Sequence, residues 1–171
     1  MKARNPLFRL SIENMYAETH DTYIQKSKID YTVGMENKQK IVIVEDNKDL
    51  NEIYKIRLEL LGYECFQAYD GETALQVIER EQPDLVLLDL MVPVIAGDEI
   101  LKRMRASDWG KDIRVYIISN LNEAEAPAGL RDYGIEGYAV KANLQYDDID
   151  KLVDKILTPA NQDSIELEST E

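Results

Sequence analysis

The sequence predicts an α/β fold: a doubly wound arrangement of five β-α units around a five-stranded parallel sheet. Short apolar runs alternate with amphipathic stretches from residue 40 to residue 157. Continuous apolar runs are typical of parallel strands, which are buried on both faces, and the stretches between them supply the connecting helices. The chain has 171 residues, 44% of them hydrophobic and 31% charged, which is enough for one domain with a substantial core.

The first part of this block predicts three strands and two helices. Residues 41–44 are four β-branched residues in a row, which favours a buried strand. Apolar residues then recur at helical spacing from 50 to 61, and Gly62 is expected to end that helix. A second strand is predicted at 64–68, a helix with Ala74, Leu75 and Ile78 on its inner side follows, and a third strand is predicted at 85–88.

The second part predicts two more strands and three helices. The loop through Pro93 and Gly97 leads to a helix that turns Ile100, Leu101 and Met104 inward. Strands are expected at 115–118 and 137–140, with a fourth helix over 122–133 that Pro127 must open or break. The last helix carries the clearest apolar stripe, from residue 149 to residue 157, and Pro159 stops it.

These elements predict a domain over residues 38–157 with an extension on each side. Residues 1–37 fit the pattern poorly, and we expect a disordered or poorly structured segment there. One hypothesis is that the first 34 residues reflect a wrongly assigned start. Residues 158–171 carry four acidic and no basic side chains, which predicts a solvated acidic tail.

Composition argues against several kinds of partner and site. The net charge of −13 repels nucleic acid and anionic membrane surfaces, so we expect neither as a direct partner. No apolar run approaches the ~18 residues of a membrane span. The lone Cys65 fits a reducing cytosol and predicts a cytoplasmic protein, and together with the lone His20 it excludes a zinc or thiol site.

Polar residues follow four of the predicted strands at their carboxyl ends. They are Glu45 and Asp46 after strand 1, Asp89 after strand 3, Ser119 after strand 4 and Lys141 after strand 5. Open α/β sheets bind ligands at this rim, and in the strand order 2-1-3-4-5 strands 1 and 3 are neighbours. One such residue alone is more often a solvated loop position. Asp84, at the opposite rim, is expected to be solvated or to accept a hydrogen bond in a local turn.

This combination predicts phosphoryl chemistry. Three crowded carboxylates require protons or a cation, and oxygen ligands suit Mg²⁺ or Mn²⁺. Asp89 is the candidate nucleophile for an acyl phosphate, and the ammonium of Lys141 suits phosphoryl oxygens. Cation and ammonium together would neutralise charge on the transferring group. Ser119 would donate a hydrogen bond to the new phosphoryl oxygens, so that its loop would shift.

From about residue 40 to residue 157 the sequence resembles the response-regulator receiver family, which has a flavodoxin-like fold. The matching pieces are residues 41–47, residues 84–93 with Gly97, Ser119, and residues 137–141. The resemblance implies that Asp89 is the phosphoacceptor and that Glu45, Asp46, Asp89 and the backbone carbonyl of Met91 bind the metal. It implies that Lys141 pairs with the phosphate, that Ser119 is the switch hydroxyl, and that Tyr138 is the aromatic that follows it.

The resemblance also implies a role. The chain would be a single-domain signalling switch rather than an enzyme, catalysing only its own phosphorylation and dephosphorylation. Its donor would be a sensor histidine kinase or a histidine phosphotransfer protein, and its output an unidentified downstream protein. The alternative is a pseudo-receiver, a protein-interaction module that works without phosphate, against which the intact acidic cluster argues.

The sequence departs from the family's usual pattern at three places. Ala142 stands where proline is usual, Asn120 where a small residue is common, and Pro127 lies in the fourth helix. A phosphatase of the haloacid-dehalogenase type would need its aspartate pair after strand 1. A flavodoxin-like redox protein would need a hydroxyl-rich loop there, whereas Glu45 and Asp46 would repel the flavin phosphate.

Overall fold

The computed structural model describes residues 38–158, which form a sheet of five parallel strands with helices on both faces. The strand order is β2-β1-β3-β4-β5, as predicted. The strands are β1 (Lys40–Val44), β2 (Glu64–Ala68), β3 (Leu85–Leu88), β4 (Arg114–Ser119) and β5 (Gly137–Val140).

Four α-helices within residues 38–158 cover the sheet. They are α1 (Lys48–Leu60), α2 (Gly71–Glu81), α3 (Gly97–Ala106) and α4 (Tyr146–Leu157). Side chains of α1 and α4 share one apolar cluster with the sheet, and those of α2 and α3 share a second cluster on the other face.

The central strands are apolar throughout because both of their faces are covered. In β1, Ile41 and Ile43 belong to the cluster of α1 and α4, whereas Val42 and Val44 belong to the cluster of α2 and α3. All four side chains are at most 1% exposed. Alternate residues of a strand point to opposite faces, so an unbroken apolar run is what a doubly covered sheet requires.

Helix ends follow the signals in the sequence. The side chain of Asn47 accepts hydrogen bonds from the amides of Asp49 and Leu50 and so caps α1. At the other end Gly62 has a φ of +99°, a left-handed conformation that glycine adopts at little cost, and the helix ends two residues before it.

The predicted fourth helix over residues 122–133 is wrong. This connection holds two short 3₁₀ turns, Glu123–Glu125 and Leu130–Tyr133, on either side of Pro127. Proline has no amide hydrogen and its ring clashes with the preceding helical turn. Gly129, inside the predicted range, takes a positive φ of +77°, which further excludes a continuous helix.

The expectations for residues 1–37 and for the acidic tail beyond residue 158 lie outside the described residues. Within residues 38–158 no helix combines the length and the apolar character that crossing a bilayer requires. Asp84 lies at the rim where the strands begin, and its carboxylate accepts a hydrogen bond from the amide of Lys40 at 2.7 Å. Asp84 is exposed, as the first of the two expectations had it, and its hydrogen bond joins neighbouring strands rather than lying within a local turn.

Candidate metal centre

Three carboxylates meet at the rim where the strands end. Glu45 and Asp46 directly follow β1, Asp89 directly follows β3, and β1 and β3 are paired neighbours. The amide of Asp89 donates to the carbonyl of Val44 at 3.0 Å, which ties the two strand ends together. One oxygen from each carboxylate lies within 4.8 Å of the others. The structure therefore brings together three of the predicted metal ligands.

Lys141 lies among these carboxylates. It follows β5 in the 3₁₀ turn Lys141–Asn143, and its side chain is 9% exposed. Its ammonium contacts the carboxylate of Glu45 and lies 2.5 Å from Oδ2 of Asp89. Burial opposes the charged form, but hydrogen bonds and charge from these two carboxylates outweigh it and raise the pKa of Lys141. The ammonium therefore remains charged beside the predicted phosphoacceptor.

Glu45 and Asp46 have different surroundings although they are adjacent in the sequence. Glu45 is buried, and burial raises the pKa of its carboxyl group. Its Oε1 accepts a hydrogen bond from the amide of Asn47, while its Oε2 pairs with Lys141. Asp46 is exposed at the mouth of the site. Both oxygens of Glu45 already have partners, so Asp46 is better suited to direct contact with a cation.

Backbone contacts fix the predicted phosphoacceptor. Asp89 is 3% exposed, and its Oδ1 accepts a hydrogen bond from the amide of Met91 at 2.9 Å. The loop then returns so closely that a Cβ on Gly97 would lie 2.3 Å from the carbonyl oxygen of Asp89. Only glycine fits there, because the first turn of α3 packs directly against the backbone of the acceptor.

The predicted switch hydroxyl is buried at the end of β4. Ser119 is fully buried, and its Oγ makes no hydrogen bond of ordinary geometry within the described part of the chain, although the hydroxyl of Tyr138 is close enough to interact with it. A buried polar group without a partner is costly, typically by about 1–3 kcal/mol. Phosphoryl oxygens on Asp89 would supply a better acceptor, so the hydroxyl of Ser119 and the three carboxylates fit a site that takes a cation and a phosphoryl group.

Tyr138 lies on β5 beside β4, paired in register with Ile117. Its hydroxyl donates to the carbonyl of Leu121 at 2.8 Å, and burial raises its pKa. The ring thereby anchors the segment that follows Ser119. The hydroxyl of Tyr138 also interacts with the side chain of Ser119, which connects the two residues predicted to act together in switching.

One contributor to the site was missed by the sequence reasoning. Asn51 lies in α1 and is fully buried, and its amide contacts the carbonyls of Glu45 and Ala68. The available signal was its spacing. Residues 51, 54 and 58 share the inner side of α1, where an amide among apolar residues needs hydrogen-bond partners.

Comparisons with known proteins point to the same family. The family model described as "Response regulator receiver domain" matches residues 41–156. Sporulation initiation phosphotransferase F of Bacillus subtilis is 35% identical over 118 residues, which span 69% of this chain and 90% of that protein. A probable transcriptional regulator, ycf27 of Porphyridium aerugineum, is 32% identical over 104 residues, 61% of this chain and 42% of the regulator. The chain thus matches less than half the length of the first curated relatives.

Solved structures agree with this result. The response regulator TrrA of Thermotoga maritima, solved in complex with Mg²⁺-BeF, is 28% identical. It has a TM-score of 0.61, and the match covers 70% of this chain and 99% of that one. The chemotaxis regulator CheY4 of Vibrio cholerae, at 23% identity and a TM-score of 0.65, supports the fold; the match covers 71% of this chain and 100% of that one.

Proposed function

The chain belongs to the response regulator receiver domain family, and on that premise we propose that Asp89 accepts a phosphoryl group in a reaction that requires a divalent cation. Receiver domains are signalling switches. The observation that carries this proposal is the ammonium of Lys141 at 2.5 Å from a buried Asp89 carboxylate, with two further carboxylates at the same mouth.

Mg²⁺ or Mn²⁺ would be held by Asp46, Asp89 and the backbone carbonyl of Met91, with Glu45 completing the acidic cluster. Oxygen donors with several waters are the ligands that Mg²⁺ prefers. When bound, the cation would neutralise charge on the transferring phosphoryl group. The Mg²⁺-BeF complex of TrrA, a relative at 28% identity, supports this choice of ion.

The protein's own residues account for the rest of the step. A carboxylate oxygen of Asp89 attacks phosphorus, the new oxygen–phosphorus bond forms, and the bond to the donor histidine breaks. Its electron pair stays with the imidazole, which leaves the site. Lys141 supplies fixed positive charge to the phosphoryl oxygens, and the amide of Met91 orients the attacking carboxylate.

Switching would follow from the buried hydroxyl of Ser119. A phosphoryl oxygen on Asp89 would accept its hydrogen bond, and β4 and its loop would move toward the site. Tyr138 is bonded to Leu121 in that loop and would follow. The surface of β4, β5, α4 and the 120–136 connection would then change shape and control a downstream protein.

We propose a sensor histidine kinase or a histidine phosphotransfer protein as the donor and a single-domain, cytoplasmic regulator as the context. The extent of the match to Sporulation initiation phosphotransferase F, 90% of its length, supports the single-domain context. The free thiol of Cys65 fits a reducing compartment. Output would run through a partner protein rather than through nucleic acid bound by this domain.

Acetyl phosphate with Mg²⁺ provides the test, read by intact-protein mass spectrometry. The wild-type protein should gain one phosphoryl group, EDTA should prevent the gain, and Asp89→Asn should not be modified. Asp84→Asn is the matched control, because Asp84 lies at the opposite rim, and it should be modified like the wild type. Equal Mg²⁺-dependent modification of Asp89→Asn would refute the assignment, and a folded wild type that no phosphodonor modifies would favour the pseudo-receiver.

A further inference from the structure

Asn51 is a polar residue in an apolar position. It is fully buried, and its Nδ2 lies 2.9 Å from the carbonyl oxygen of Glu45 and 3.2 Å from that of Ala68. The carbonyl of Ile43 is a third, longer contact at 3.4 Å. An amide nitrogen carries two hydrogens, so the two shorter contacts are the ones it satisfies fully. Both of those carbonyls lie at the end of the sheet that carries the metal centre.

The backbone at Glu45 lies just beyond the end of β1. Its amide still donates to the carbonyl of Ala68 at 3.1 Å, but its own carbonyl accepts from the side chain of Asn51 instead. The peptide group between Glu45 and Asp46 therefore depends on one side chain for its orientation. Asn51 is itself held in α1 by a backbone hydrogen bond to Asn47 at 2.9 Å.

We propose that Asn51 is a positioning residue for the metal centre, fixing the Glu45–Asp46 peptide so that the Asp46 carboxylate faces Asp89. This inference rests on the proposed function. The three backbone contacts all come from Nδ2, whereas the buried Oδ1 has no hydrogen-bond partner within residues 38–158. The donor Nδ2 rather than the acceptor Oδ1 therefore fixes the orientation of the Glu45–Asp46 peptide.

Because Asn51 acts through the hydrogens of Nδ2, the test variant must remove those hydrogens. Asn51→Leu keeps a side chain of similar length and removes both hydrogens, and it leaves the carbonyl of Glu45 buried without its donor. An unsatisfied buried carbonyl is costly. The peptide therefore lowers its free energy by rotating until the carbonyl of Glu45 meets another donor or water. Rotation moves Asp46 away from the oxygens it would share with Asp89.

The probe is Mn²⁺, with binding measured from the electron paramagnetic resonance signal of the free ion. Leu58→Ala is the matched control, because Leu58 is equally buried on the same helix and packs in the apolar cluster of α1 and α4. Asn51→Leu should weaken Mn²⁺ binding by about tenfold or more, the usual cost of losing a residue that orients a metal ligand. Leu58→Ala should lower thermal stability yet bind Mn²⁺ within about twofold of the wild type, since it removes apolar packing only.

Loss of folding and loss of Mn²⁺ binding are measured separately. Circular dichroism shows whether each variant is folded, and Asn51→Ala provides a second removal of the donor. If a variant folds only when Mn²⁺ is present, its folding is measured as a function of Mn²⁺ concentration. The concentration at which half of the protein is folded then yields the dissociation constant. Wild-type Mn²⁺ affinity in either Asn51 variant would overturn the inference and leave the proposed function standing. A wild-type protein that binds no Mn²⁺ would overturn both.

Discussion

Removing the ammonium of Lys141 should leave two buried carboxylates facing each other. In Lys141→Met the apolar stem is retained and the charge is lost. Glu45 and Asp89 are each 3% exposed, so little water reaches them to replace the ammonium. We therefore expect the metal-free variant to be much less stable than the wild-type protein.

The size of the loss follows from the geometry. One oxygen of Glu45 and one of Asp89 lie within 4.8 Å of each other, and two unit charges at that upper limit repel each other by about 3.5 kcal/mol at an effective dielectric constant of about 20. Breaking a buried ion pair by removing one partner typically costs about 3–5 kcal/mol. The free energy of unfolding of Lys141→Met should accordingly fall by about 3 kcal/mol at pH 8 in EDTA.

The loss of stability in Lys141→Met should depend on pH and on the presence of a divalent cation. Burial raises the pKa of Glu45 in the folded protein above its ordinary value of 4.5, and loss of Lys141 would raise it further. A carboxyl with a raised folded pKa stabilises the fold fully below its unfolded pKa, and this contribution is lost as pH rises through the folded pKa. The deficit should therefore shrink from pH 8 toward pH 5. Mg²⁺ should stabilise the variant more than the wild type, because it supplies the missing positive charge.

Urea unfolding followed by the fluorescence of Trp109, the only tryptophan of the chain, measures these differences. Lys151→Met is the matched control, since that ammonium pairs with Asp147 at 3.1 Å on a side chain that is 72% exposed. Its unfolding midpoint should not change, because solvent screens such a pair. If Lys141→Met unfolds at the wild-type midpoint in EDTA at pH 8, the charge arrangement described for the site is wrong.

Three further changes test other contacts. Val94 is 74% exposed with a φ of +71°, in a turn where the amide of Ile95 donates to the carbonyl of Pro93. Val94→Gly should relieve strain of about 1–2 kcal/mol, which exceeds the cost of the extra chain entropy of glycine, about 0.4–1 kcal/mol. The variant should therefore unfold at a higher urea concentration than the wild type, and a lower unfolding midpoint would contradict this. Gly97→Ala must displace the backbone of Asp89, so we expect it to lose about 1–3 kcal/mol and to be phosphorylated more slowly by acetyl phosphate; wild-type behaviour in both assays would refute the close approach. Burial raises the pKa of Cys65 to about 12, so a thiol reagent at pH 8 should label it only after unfolding, and rapid labelling in buffer would show the thiol to be accessible.

The strands were predictable because their sequence signals are local, whereas their order came from the doubly wound fold class that the alternating elements match. An unbroken apolar run such as residues 41–44 is typical of a strand covered on both faces, and four β-branched residues disfavour the helical alternative. Once the strands are parallel, their carboxyl ends share one rim. The meeting of Asp46 and Asp89 then follows from strand order and does not require knowledge of any side-chain contact.

The errors arose where the sequence signal was weak or contradictory. The alternation of strand and helix predicts a helix over residues 122–133, although Pro127 argues against it. The backbone instead turns at Gly129, whose positive φ is incompatible with that helix. The role of Asn51 was missed for a different reason. Its partners are backbone carbonyls of other elements, which no side-chain pattern along the chain reveals.

The most direct measurement is anomalous scattering from crystals of the full chain grown with Mn²⁺. The carboxylates at the ends of β1 and β3 should share one ion, giving a strong peak at about 2.0–2.5 Å from oxygens of Asp46 and Asp89. The ammonium of Lys141 should lie on the far side of Asp89 from that peak. At saturating Mn²⁺, no peak at this position, or a peak coordinated by other residues, would contradict the account.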